Sequence, residues 1–143
     1  MDTEKALSFI ENSFLSTLVS NPNVTDISFN GEFIFYVDNL LGRVKSDIKV
    51  NEVTVKDFIR QVANLCEKQF SYQIPILDVT IGRYRINAVH SSIGRAKDIN
   101  ATTFSIRVAS LELKINDQNG FMPGIISELL SVILKSKMSI VVS

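Results

Sequence analysis

The sequence predicts an α+β domain: a mostly antiparallel sheet of about six strands with flanking helices, followed by a C-terminal helix and strand. Three observations carry this reading. Apolar residues recur at helical spacing in two separated blocks, 3–20 and 54–70; short runs between and after them alternate with period two; and Asn, Gly and Pro clusters separate those runs at hairpin distances. With 143 residues, 45% of them hydrophobic and 21% charged, the chain has the composition and length of one globular core.

The first block places Ala6, Leu7, Ile10, Phe14, Leu18 and Val19 on one helical stripe with Thr3 as its N-cap, and "NPN" at 21–23 ends it. "VTDISFNGEFIFYVDNLLGRVKSDIKV" then reads as three consecutive antiparallel strands, turning at Asn30-Gly31 and around Asn39 to Gly42. In the third, Val44, Ile48 and Val50 alternate with Arg43, Lys45, Asp47 and Lys49, the signature of a half-buried strand. The second helix, 54–70, carries Val55, Phe58, Ile59, Val62, Ala63 and Cys66 on its stripe, with Thr54 and Asp57 as a capping-box-like start. "ILDVTIG" and "RYRINAVH" form a strand pair joined near Gly82. The polar loop "SSIGRAKDINA" leads into the strand "TTFSIRV", and "LELKINDQNGFMPG" is a linker whose Pro123 suits the first turn of a helix to about Ser136. A strand opens at Ile140.

Fifteen basic and fifteen acidic residues cancel, so the chain carries no global field for nucleic acid, no direct nucleic-acid binding is expected, and any anion site is local. The lone Cys66 excludes an internal disulfide, suits a reducing compartment and reads as a buried apolar residue. No apolar run reaches the ~20 residues of a membrane span, and the N-terminus is acidic where a signal peptide is basic. His90 is the only histidine, no metal-ligand pair has a familiar spacing, no nucleophile elbow marks a serine, and GxxxxGK[ST] is absent.

"GRYRINAVH" is the informative stretch. Strand parity puts Arg83, Arg85 and Asn87 on one face and Tyr84, Ile86, Ala88 and His90 on the other. In "TTFSIRV" it groups Thr103, Ser105 and Arg107 against Phe104, Ile106 and Val108. If the two strands are neighbours, Arg85 and Arg107 converge, and guanidinium forks suit phosphate oxygens. Parity leaves a second reading open, in which these arginines sit on an ordinary solvated sheet face.

Three stretches together resemble one family. "NPNVTDISFNGEFIFYVDNLLGRV" resembles the segment that introduces the N-terminal sheet of the secretion (traffic) ATPases of type II and type IV systems. "GRYRINAVH" followed by "FSIRV" is similar to that family's "GsRinA…sIR" signature, and "GFMPGIISELLSVILKSKMSIVVS" to the helix and strand leading into its Walker A loop. The resemblance implies an N-terminal α+β domain at 1–110, a linker at 111–122 and the start of a P-loop motor domain at 123–143, with Ser143 the last residue before the missing loop. It implies a regulatory and oligomerising domain of a homo-hexameric cytoplasmic ring, peripheral to the inner face of the membrane, that powers secretion, pilus assembly or conjugative transfer. The parent would hydrolyse ATP with Mg2+; these residues, lacking Walker A and B, would supply no catalytic or metal-binding group and would bind nucleotide weakly. Arg85 and Arg107 fall on the two signature arginines that reach toward the nucleotide's phosphates; Arg83 and Arg95 match no motif position. The alternative is a stand-alone α+β ligand-binding or sensory module with an apolar pocket. A small hydrolase using Ser91 or Ser92 beside His90 is a more distant one.

Overall fold

The structure is a computed structural model that describes residues 2–109 and 124–136. The expected linker 111–122, Pro123 and the strand from Ile140 lie outside the described residues. The chain divides into two compact units, Met1–Ser110 and Leu111–Ser143.

In the first unit the elements run α1 (Thr3–Glu11), α2 (Ser16–Val19), β1 (Val24–Phe29), β2 (Ile34–Asp38), β3 (Gly42–Lys45), α3 (Glu52–Leu65), β4 (Ile76–Ile81), β5 (Tyr84–Val89), β6 (Arg95–Ala96), β7 (Ile99–Asn100) and β8 (Thr103–Val108). Six strands form one sheet in the order β3-β2-β1-β8-β5-β4, and every neighbouring pair is antiparallel. The fold is therefore α+β with a six-stranded antiparallel sheet, as the alternating patterns predict. The meander β1–β3 and the hairpin β4–β5 are two local units; β8, last in sequence, inserts between them and makes one sheet of both.

One face of the sheet is covered and the other open. Leu77, Val79, Ile81, Tyr84, Ile86, Ala88, Phe104, Ile106 and Val108 are buried, while Asp78, Thr80, Arg85, Asn87, Ser105 and Arg107 alternate with them toward solvent. The helices seal the apolar face through Ala6, Ile10, Val55, Phe58, Ile59 and Val62. Phe58 is the hub, stacked on Phe9 at 5.5 Å, edge-on to Phe14 at 5.1 Å, and 6.4 Å from Phe104 of β8. Aromatic pairs at these separations add about 0.5–1.5 kcal/mol beyond the area they bury. The start of α3 is tied to the start of β8, because Glu52 Oε1 accepts from both the Thr102 amide (3.2 Å) and its hydroxyl (2.7 Å).

Local side chains redraw several expected boundaries. The first helix is two helices: Asn12 Nδ2 donates to Ser8 O and Ser13 Oγ to Ile10 O, and these bonds compete with the helical ladder at the break. Asp2, not Thr3, caps α1, accepting from Lys5 N. Asn51 caps α3, accepting from Thr54 N at 2.8 Å, so Thr54 lies inside the first turn. That helix ends at Leu65, followed by Glu67 at φ 54°, instead of running to Phe70. β3 ends at Lys45, with the Ser46 amide making a last bond to Ile34 O at 2.9 Å; Ser46 Oγ then accepts from Ile48 N and turns the chain, so 47–50 leave the ladder. Conversely, the loop after His90 contains the two-stranded hairpin β6–β7. It packs so closely on Gly31 (φ +95°) that a Cβ there would lie 2.4 Å from Ala96 Cβ.

In the second unit the described element is α4, Gly124–Lys135, an amphipathic helix with Ile125, Leu129 and Val132 exposed and Lys135 in its last turn.

Candidate anion-binding site

The open sheet face is organised in cross-strand rows. One row reads Arg43–Val37–Asp26–Arg107–Arg85–Thr80 from β3 to β4, each residue the register partner of the next. The next reads Lys45–Phe35–Ser28–Ser105–Asn87–Asp78. Arg85 and Arg107 are thus direct cross-strand partners. Like charges placed opposite one another on a sheet face are destabilising, by a few tenths of a kcal/mol up to about 1.

Two carboxylates relieve that repulsion from the flanks. Arg85 Nη2 donates to Asp78 Oδ2 at 3.3 Å, and Arg107 Nε to Asp26 Oδ1 at 3.3 Å. Both guanidinium groups stay largely in water, at 68% and 76% side-chain exposure. Exposed pairs of this kind contribute only about 0–1 kcal/mol, so either arginine can exchange its carboxylate for another anion at little cost. Between them lies a shallow depression of about 190 Å³ lined by Asp26, Arg85, Asn87, Ser105 and Arg107. That volume suits a phosphoryl-sized group and falls short of the roughly 300–1,000 Å³ of a pocket for a whole small ligand. The Ser105 hydroxyl and Asn87 amide add neutral hydrogen-bonding groups to the two guanidinium forks.

Two larger cavities lie elsewhere. One of about 520 Å³ is lined by Gly31, Glu32, Glu52, Ala96, Lys97 and Ile99 among others, and one of about 390 Å³ by Phe33, Lys45, Ile48 and neighbours. In the first, Lys97 is already paired with Glu32 at 2.7 Å. Neither brings two arginines together, and chemistry outranks volume in choosing the site.

The remaining expectations resolve by position. Arg83 does not join Arg85: it sits in the two-residue turn with Gly82, where strand parity no longer applies, and reaches toward the helices. Its Nη2 donates to Val19 O and to the Tyr84 hydroxyl (3.0 Å), which in turn donates to Glu11 Oε1 at 3.2 Å. Burial pushes the Tyr84 hydroxyl above its ordinary range, so it stays a phenol and a donor. Arg95 lies on β6, outside the six-stranded sheet. His90 is buried edge-on to Phe70 at 5.3 Å, and its Nδ1 accepts from the Ser92 amide at 3.1 Å. That bond occupies the lone pair a general base needs, so the 3.0 Å Ser92 Oγ contact belongs to the turn and not to a nucleophile. Cys66 is buried, and desolvation raises its thiol above the usual range. Among the described residues no cluster of three or more His, Cys, Asp or Glu could hold a metal ion, and no helix is long and apolar enough to cross a membrane. The site residues missed from the sequence are Asp26 and Asp78. Parity signalled them, since Asp26 alternates with Ile27 and Asp78 with Leu77 and Val79.

No family model matches the sequence. An uncharacterized protein of Bacillus anthracis is 29% identical over 85% of this chain, which spans 28% of that protein. Among solved structures, the VirB11 ATPase from the Brucella suis type IV secretion system, crystallised with sulphate, superposes with a TM-score of 0.65 at 15% identity. The superposition covers 95% of this chain and 44% of that one. The chain therefore has a fold found in a secretion ATPase, and it spans less than half the length of both of these proteins.

Proposed function

We propose that this chain is the N-terminal, nucleotide-clamping domain of a secretion ATPase, of the kind that powers type IV or type II secretion, pilus assembly or conjugative transfer. The observation that carries the reading is the direct pairing of Arg85 with Arg107 on an open sheet face. Fold likeness to an ATPase crystallised with a tetrahedral anion supports it.

Arg85 and Arg107 hold the terminal phosphate of ATP, with Ser105 and Asn87 beside it, and leave Asp78 and Asp26 as they do so. The Mg2+ and the hydrolytic groups belong to a P-loop domain, which binds the other half of the nucleotide. Phosphate charge drawn onto the arginines closes the two domains, and its loss lets them part, so nucleotide state becomes domain motion. Six such chains in a ring at the cytoplasmic face of the inner membrane would present the clamps to a secretion or pilus machine. A half-site this open binds nucleotide weakly alone, since half of the anion keeps its water.

The test is ATP turnover by a protein carrying this chain ahead of its P-loop domain, compared with its Arg85→Ala, Arg107→Ala variant. A loss of about 100-fold or more in kcat with unchanged thermal unfolding is expected. Full turnover in the folded variant would remove the clamp.

A further inference from the structure

We propose that the two edges of the six-stranded sheet join one another between copies of this chain, β4 of one copy pairing with β3 of the next. Strand polarity permits it. Every neighbouring pair in the order β3-β2-β1-β8-β5-β4 is antiparallel, and the strands are six, so β3 and β4 run in opposite directions. A second copy laid alongside in the same orientation therefore continues the sheet antiparallel.

Both edges hold unspent backbone groups. Pro75 O accepts from the His90 amide at 2.7 Å, in step with the pairing of Ile81 and Tyr84 across the turn. The alternation of an antiparallel ladder then directs the backbone of Leu77, Val79 and Ile81 toward β5, and that of Ile76, Asp78 and Thr80 outward. At the other edge the Ser46 amide bonds Ile34 O, which turns Gly42 and Val44 toward β2 and Arg43 and Lys45 outward. Among the described residues none of these five outward residues has another backbone partner. Nor is β4 blunted as edge strands usually are: it keeps register with β5 over its whole length, with no bulge, proline or lysine.

The rows of the open face fix the register. Thr80 ends the row that begins with Arg43, and Asp78 the row that begins with Lys45, so adjoining copies set Thr80 against Arg43 and Asp78 against Lys45. Both are then pairs that exchange two backbone hydrogen bonds. Asp78 gives Oδ2 to Arg85, while its Oδ1 has no partner among the described residues. One row further along, Ile76, 55% exposed, comes level with the segment after Lys45, which with Phe33 walls the cavity of about 390 Å³. Tyr72 and Ile74, also exposed, precede it on the same edge. Apolar side chains on one edge thus meet a cavity on the other.

Self-pairing of either edge is disfavoured. β4 against β4 in its longest register opposes Asp78 to Asp78, and β3 against β3 opposes Arg43 to Lys45, like charges in both cases. The association is therefore head to tail, the geometry that closes into rings or runs on as filaments. Its closure into a ring rests on the proposed function; the joint itself uses none of that reading's nucleotide chemistry.

The test is sedimentation of this 143-residue chain across a concentration series. Its mass is expected to rise past that of a dimer. Lys45→Glu places a like charge opposite Asp78 and should weaken association about 100-fold. Thr80→Pro deletes an outward amide without touching the β4–β5 ladder and should weaken it roughly tenfold or more. Mixed in equal parts, the two variants should form a dimer and stop there, because one intact β4 and one intact β3 remain. Tyr72→Ser, Ile76→Ser is confined to exposed side chains, is expected to weaken association in the same way, and replaces the proline variant in the mixture should that one fail to fold. A chain that stays monomeric up to about 1 mM, a dimer formed by either variant alone as readily as by the mixture, or association that none of these variants weakens would each overturn the joint. The clamp stands or falls separately: Arg107→Ala should self-associate normally, and Lys45→Glu should keep the response of Arg85 and Arg107 to pyrophosphate.

Discussion

Arg85 and Arg107 face each other across neighbouring strands, and each leans away to a carboxylate one strand further out, Asp78 on β4 and Asp26 on β1. Two like charges held side by side are hard to explain as packing, because both stay largely exposed and their pairing costs stability. In the function proposed above they are half of an anion site, and the flanking carboxylates would compete with the bound anion.

The competition can be measured. Asp26→Asn and Asp78→Asn each remove a negative charge that screens one guanidinium while keeping the side chain's shape. Each is expected to tighten pyrophosphate binding by a few-fold and to change stability by under about 1 kcal/mol. Isothermal titration at low and high salt reads both, with the gain shrinking as salt rises.

Adjacent arginines should behave oppositely. Arg85→Ala and Arg107→Ala remove exposed ion pairs and should shift unfolding by no more than about 1 kcal/mol. Arg83→Ala strips a donor from the Val19 carbonyl and from the hydroxyl of the fully buried Tyr84, and should cost roughly 1–3 kcal/mol. Urea midpoints of the three variants decide it.

Gly31→Ala should be among the most damaging single-methyl changes. Its Cβ would overlap Ala96 Cβ at 2.4 Å and Ala101 Cβ at 2.8 Å, at a φ of +95° that alanine disfavours. A loss of about 2 kcal/mol or more is expected, with hydrogen exchange rising first in β6–β7, where the contact lies.

Stability should also fall in mild acid through His90. Its burial, with Lys56 and Arg60 nearby and only Glu52 opposing them, lowers its pKa below the ordinary value near 6.5. The unfolded chain then binds a proton more readily than the folded one. Stability from this group is fully present above about 6.5 and is lost as pH falls from there through the depressed folded value. His90→Gln should flatten that segment of the stability–pH curve.

Much of this was legible in the residue order, and the exceptions share a cause. The alternation in "YRINAV" and "TFSIRV" placed Arg85 and Arg107 on one face, because period-two parity survives any register that keeps the apolar side inward. Parity could not say that the two strands are neighbours. That depends on β8 inserting between β1 and β5, a long-range pairing with no local signal. Arg83 was grouped wrongly because parity was extended through Gly82 into a turn. The helix break at residues 12–15, the Asn51 cap and the end of β3 were set by single side-chain hydrogen bonds, which periodicity does not register. The β6–β7 hairpin lacks apolar alternation; its close fit against Gly31 and the Glu32–Lys97 pair come from the tertiary fold.

The central claim, that Arg85 and Arg107 form a phosphate site, is tested most directly by nuclear magnetic resonance of the arginine side-chain Nε–H groups during titration with inorganic pyrophosphate. The account predicts that both signals move together along one saturable curve, and that Arg85→Ala abolishes the response at Arg107. Signals that stay fixed while pyrophosphate perturbs Lys45 or Lys97 instead, or two arginines that respond independently with the weak, unsaturable drift of bulk screening, would contradict it.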